Sequence, residues 1–186
     1  MKTVFLSASV PLPTRHARFY EKADPVAIKE AVKSLVVEII PRGQIVFGGH
    51  PAITPLISLI ISSLFPDHSD RAILFQSLEF EGRFPPEVEE FPTVIYTPRH
   101  PNGLNDSLLE MRRQMIGDYK YDAAVFIGGM EGVIEEYEIF RKFHPNCLVL
   151  PLASTGAAAN IIFEEGKFDK YLKKDINYSS IFRRLI

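Results

Sequence analysis

The run Ala123-Ala124-Val125-Phe126-Ile127-Gly128-Gly129-Met130-Glu131-Gly132-Val133-Ile134-Glu135-Glu136 restricts the possible folds more than any other stretch of this chain. An apolar segment passes straight into two glycines. A third glycine follows, and a helix-like segment opens with two glutamates. Without a Cβ, glycine lets the backbone come close to a ligand. The N–H groups and dipole of a helix start suit a phosphate. The run therefore reads as a strand-to-helix turn with a nucleotide-type site. The glycine spacing is not that of the dinucleotide fingerprint G-x-G-x-x-G.

The same alternation of strand and helix continues along the chain. Strands are expected at Thr3 to Leu6, Gln44 to Phe47, Ala72 to Phe75 (with a continuation toward Phe80), Thr93 to Tyr96, Ala123 to Ile127 and Cys147 to Leu152. Asp24-Pro25 has the signature of a helix start, an N-cap acid followed by proline. Ile28, Ala31, Val32, Leu35, Val36 and Ile39 then recur at helical spacing, until Pro41 and Gly43 close the helix. Further helices are expected from Thr54-Pro55 to Phe65, from Ser107 to Ile116 behind an Asn105-Asp106 cap, after Gly132 to Phe143, over Ala157 to Glu165, and from Ser179 in the tail. The polar, proline-containing segment up to Ala23 reads as loop. Strands this apolar, separated by helices, imply a mainly parallel sheet covered on both faces. The fold class is α/β, a Rossmann-like doubly wound sheet. At 186 residues, one domain spanning 1–186 is expected.

Composition narrows the partners. A net charge of -2 argues against a nucleic-acid partner, which calls for a basic face. The longest apolar segment, Ile53 to Phe65, holds Pro55 and three serines and is too short to span a bilayer, so no membrane partner is expected. Lys2 is followed by only a short apolar run, which is no signal peptide. The single cysteine, Cys147, excludes an internal disulfide, suits a reducing cytoplasm and reads as a buried strand residue. No His/Cys/Asp/Glu spacing suggests a metal site, and no cofactor is implied.

Small and hydroxyl residues gather where the expected strands end: Ser7-Ala8-Ser9, Gly48-Gly49-His50, Gly128-Gly129 and Ser154-Thr155-Gly156. In a doubly wound sheet, ligands bind outside the carboxyl ends of the strands, where strand order reverses. Each cluster alone is ordinary turn chemistry. Together they outline one crevice for a phosphate-bearing ligand.

Two of these blocks resemble a known family. Phe47-Gly48-Gly49-His50-Pro51-Ala52-Ile53-Thr54 is similar to the second-strand glycine signature of the SLOG superfamily. Arg113 followed by Gly128-Gly129 through Glu136 is similar to its R…GG…G…EE block, and Phe5-Leu6-Ser7-Ala8-Ser9 resembles its first-strand loop. The superfamily groups the LOG cytokinin-activating phosphoribohydrolases, DprA-like proteins and the ligand-sensing domains of TRPM channels and bacterial immune effectors. The resemblance, together with the residues that follow strands four and six, gives an expected ligand site of Ser7, Ser9, Gly48, Gly49, His50, Arg99, Arg113, Gly128, Gly129, Met130, Glu131, Gly132, Glu135 and Thr155. If the site is catalytic, it implies Arg113 and Glu136 as the working pair. LOG enzymes cleave the N-glycosidic bond of a nucleoside monophosphate with a P-G-G-x-G-T-x-x-E motif. Here Ile127 replaces the proline, Glu131 is inserted between the second and third glycines, and Val133 replaces the threonine. These departures remove a phosphate-binding hydroxyl and add negative charge. They fit a sensor of an NAD- or ADP-ribose-like signal better than a hydrolase.

Each candidate also has a plainer reading. Arg112-Arg113 is an ordinary solvated pair, of which one member faces water because helix neighbours point apart. Glu136 is a first-turn acid favoured by the helix dipole. His50 caps a turn, and Arg99 with His100 belongs to a surface loop. The segment Arg15-His16-Ala17-Arg18-Phe19-Tyr20 is either surface loop or a flap that folds over a phosphate or stacks a base. Three functions stay open: a sensor of a nucleotide-derived small molecule, a LOG-like N-glycosidic hydrolase, and an interaction module. Related domains imply a homo-oligomer, with the Ile53 to Phe65 helix available as an interface. They also imply an effector, which for a chain of this length is expected to be a separate protein.

Overall fold

A computed structural model describes residues 1–14 and 17–186. Six parallel strands form one sheet in the order β4-β3-β2-β1-β5-β6, with β1 at Lys2–Ser9, β2 at Gly43–Gly48, β3 at Ala72–Ser77, β4 at Thr93–Thr97, β5 at Ala123–Gly128 and β6 at Leu148–Leu152. The chain winds outward from β1 through β4, then returns to the other flank of β1 for β5 and β6. Strand order therefore reverses between β1 and β5. There Ser7 lies beside Phe126, and Ser9 beside Gly128.

Alternating strand residues sort onto two faces, as the period-two pleat requires. Val4, Leu6, Ile45, Phe47, Val125 and Ile127 pack under α2 (Pro25–Ile39), α3 (Thr54–Leu64) and α8 (Tyr178–Leu185). Phe5, Val46, Phe75, Ala124 and Phe126 pack under α4 (Leu104–Gly117), α5 (Glu131–Phe143) and α6 (Ala157–Glu165). On this second face the rings of Phe5 and Phe140 stack at 5.3 Å, and Phe126 meets both edge-on. Such pairs add about 0.5–1.5 kcal/mol beyond their buried area. They pin α5 over β1 and β5.

The expected start of α2 is present: the Asp24 carboxylate accepts from the Val26 and Ala27 amides at 3.0 and 2.9 Å, with Pro25 opening the helix. Several boundaries differ from expectation, and two short helices are added. β3 stops at Ser77, whose hydroxyl accepts from the Glu79 amide and starts a 3-10 turn over Leu78–Phe80. α4 starts at Leu104, because Gly103 at φ 99° already turns the chain; the Asp106 carboxylate accepts from the Asn102 side chain instead of capping. A short helix, α1 (Ala17–Tyr20), interrupts the expected loop, and α7 (Tyr171–Lys174) precedes α8 in the tail. Cys147 sits just before β6, half-buried, and its thiol donates to the Tyr121 carbonyl at 3.3 Å. Burial pushes that thiol up, so it is a poor nucleophile. No helix among the described residues is long and apolar enough to cross a membrane.

Candidate functional site

The glycine loop after β5 is held through its backbone amides by Thr155 and by the end of β1. The Gly128 amide donates to Thr155 Oγ1 at 2.8 Å, and the same hydroxyl donates to the Leu152 carbonyl at 2.6 Å. The Gly129 amide donates to the Ser9 carbonyl at 2.9 Å. Both glycines need their freedom: Gly128 has φ 54° and Gly129 φ 91°. A Cβ on Gly128 would collide with the Ile28 side chain, and one on Gly129 with Val133. Val133, which stands at the family's threonine position, is thus a buried plug over the loop. The two glycine amides are already spent, so donors for an anion have to come from the start of α5. There Met130 is the extended N-cap residue, no side chain among the described residues caps the helix, and the Val133 amide turns back to the Met130 carbonyl at 3.0 Å.

Charged side chains converge on that helix start. Ser7 Oγ donates to Glu136 Oε2 at 2.5 Å, and Arg112 Nε lies 3.5 Å from Glu136 Oε1. Arg112 Nη1 is also paired with Glu135. Arg112 and Glu136 have side chains only 11% and 14% exposed, whereas Glu135 is 56% exposed. Burial raises the Glu136 carboxyl above its usual range; the Arg112 charge and the Ser7 and Arg112 hydrogen bonds pull the other way. Gly132 makes room for this arginine, since a Cβ there would stand 2.8 Å from Arg112 Nη2. Glu131, the first residue of α5, pairs with Arg18 on α1 at 3.2 Å.

The arginine that meets the glutamates is Arg112, whereas the family comparison of motifs pointed to Arg113. Arg113 is exposed on α4. The helix itself makes the distinction: Arg112 lies four residues after Leu108 and four before the buried Ile116, in one row along the packed face. That row was readable in the sequence and would have selected Arg112.

The remaining candidates fall into two groups. The Gly49 amide donates to the Phe75 carbonyl, and its bare Cα lies against the side chain of Gln76. The His50 amide donates to Thr54 Oγ1, and His50 Nδ1 accepts from the Ala52 amide at 3.1 Å. Burial lowers the His50 imidazole to about 4, so it is neutral at pH 7 with its proton on Nε2. Gly48 packs beside Met111 and Met115, which a Cβ would meet at ordinary contact distance. These three residues form a corner at the end of β2, next to β1. Arg99 is not brought to the loop. It follows β4, three strands from β1, or roughly 14 Å along the sheet. There its Nε donates to the Leu78 carbonyl and its Nη2 pairs with Glu81 at 3.1 Å. Thr155 is fully buried, and its hydroxyl positions the loop. Arg15 and His16 lie outside the described residues. Among the described residues, no group of three or more His, Cys, Asp or Glu side chains is placed to hold a metal ion.

Comparison with known proteins bears on the family and the fold. The model of the SLOG cluster3 family matches residues 18–186, and the chain belongs to that family. Its fold is similar to the X-ray structure of TM1055, a structural-genomics target, at 15% identity and a TM-score of 0.57 over 100% of both chains. No curated protein matches.

Proposed function

We propose that this SLOG cluster3 family member binds a nucleotide or nucleotide-derived small molecule, of the NAD or ADP-ribose kind, and acts as a sensor module. The ligand sits in the crevice at the carboxyl ends of β1 and β5. One observation carries the reading: Arg112, Glu136 and Ser7 are held together against a helix start that no side chain among the described residues caps, at the point where strand order reverses. Such a helix start favours anions. Arg112 adds a planar cation suited to phosphate. The exposed Glu135 is free to leave Arg112 and take a ribose hydroxyl, while Ser7 keeps Glu136 in place. We extend the proposal to a cytoplasmic, single-unit protein that self-associates and passes its signal to a separate effector. Leu59 and Leu64, 63% and 55% exposed near α3, are the surface for self-association.

The reading is tested with near-stoichiometric protein and a mixture of nucleoside monophosphates, NAD, ADP-ribose and cyclic ADP-ribose isomers. The protein is filtered off and the filtrate analysed by chromatography. Depletion of one compound, recovered intact after denaturation and lost with Arg112→Ala, is the expected result. A filtrate that never changes contradicts it.

A second reading, an N-glycosidic hydrolase, is favoured by the raised Glu136 carboxyl. A carboxyl raised by burial is a better proton donor to a leaving base than an ordinary, fully ionised one. Release of free base over time, abolished by Glu136→Gln with binding intact, would select it.

A further inference from the structure

The short helix α1 brings a second arginine to the same helix start. Phe19 is fully buried in the aromatic face of the core and fixes α1 to the body of the protein. Its neighbour Arg18 lies over the Phe19 ring at 4.5 Å and reaches Glu131 Oε1 at 3.2 Å. Glu131 precedes Gly132, the residue whose missing Cβ admits Arg112 Nη2. Two guanidinium groups therefore meet consecutive residues of α5, and each is matched by a carboxylate: Glu131 on Arg18, Glu135 on Arg112. Those two carboxylates are the accessible ones, with side chains 38% and 56% exposed, against 14% for Glu136. The Arg18–Glu131 pair is solvated on both sides, and such pairs contribute little and exchange readily. A phosphate carries more charge than a carboxylate and fits the planar fork of arginine.

We infer that Glu131 is an internal counter-ion for Arg18, which a ligand with two linked phosphates displaces. One phosphate then takes Arg112 and the other takes Arg18. Arg18 thereby separates diphosphate-bridged ligands from monophosphates, and the inserted Glu131 sets the threshold for both. The assignment rests on the crevice being a nucleotide site. It also gives the insertion a role other than blocking phosphate: the acid holds the second cation in position until the ligand arrives.

The test is calorimetric titration of the full chain with AMP and with ADP-ribose at one fixed salt concentration. Arg18→Ala should weaken ADP-ribose roughly tenfold or more and leave AMP within about twofold. Glu131→Gln should tighten ADP-ribose by roughly two- to fivefold, because no carboxylate has to be displaced. Equal shifts for both ligands, no shift in either variant, or weaker binding in Glu131→Gln would overturn the assignment while leaving the crevice in place. If the unsubstituted chain binds neither compound, the nucleotide reading falls, and this assignment falls with it.

Discussion

The starts of α5 and α6 look alike in sequence and differ in use. Each follows a buried strand, and each opens beside glycine. At α6 the turn is closed upon itself. The Ala157 amide donates to the Lys22 carbonyl, the Ala158 amide to the Gly129 carbonyl, and the Asn160 amide to the Gly156 carbonyl. Gly156 has φ 75°, and a Cβ there would run into the Lys22 carbonyl oxygen. Even Ala157 is drawn to a positive φ of 52°. Among the described residues no side chain caps either helix start, but at α5 Arg18, Arg112, Glu131, Glu135 and Glu136 crowd around the turn. Small residues after a strand thus mark close packing of backbone. They mark a candidate ligand site only where charged side chains converge as well.

This contrast can be broken by substitution, and the largest effect should come from the α6 side. Gly156→Ala places a Cβ against backbone at a positive φ, and should cost at least about 2 kcal/mol in urea denaturation. A neutral result would mean the α6 turn is not the rigid partner. Thr155→Val removes one hydroxyl that serves both the Leu152 carbonyl and the Gly128 amide. A loss of roughly 1–3 kcal/mol is expected, with ligand affinity of the folded protein unchanged. Weaker binding at equal stability would instead make Thr155 a contact residue.

The next effect is a pH dependence on the α5 side. The folded Glu136 carboxyl is raised by burial, so the folded chain holds that proton more tightly than the unfolded one. The associated stability is full below the ordinary carboxyl range and is lost as pH rises through the folded value. The stability of the parent relative to Glu136→Gln should therefore fall from mildly acidic to neutral pH. A rising difference would show that the Arg112 pair outweighs burial. The smallest effect belongs to Arg113→Ala, which should stay within about 0.5 kcal/mol and leave binding untouched, because Arg113 faces water.

Much of this molecule was legible in its sequence. The apolar runs gave the strands most clearly where both faces are covered, as in Ala123–Gly128, where every residue is buried; the edge strand β4 is only half-buried. The Asp24-Pro25 start was legible because capping is local chemistry. What escaped depends on contacts distant in sequence. Arg112 is the exception, since its row with Leu108 and Ile116 could have been read along α4. Thr155 resembled a ligand hydroxyl until β5 and β6 were placed side by side. The Arg18–Glu131 pair spans 113 positions, and no local pattern announces it. Arg99 was assigned to the crevice because it follows a strand, and the sheet order then put that strand at the far edge.

Hydrogen exchange with and without the compound retained from the nucleotide mixture tests the central claim most directly. Ligand should slow exchange at the amides of residues 130–136 and leave those of 157–160 as they were. Protection confined to residues 97–107, or none anywhere at saturating ligand, would contradict the placement of the site at the β1–β5 crevice.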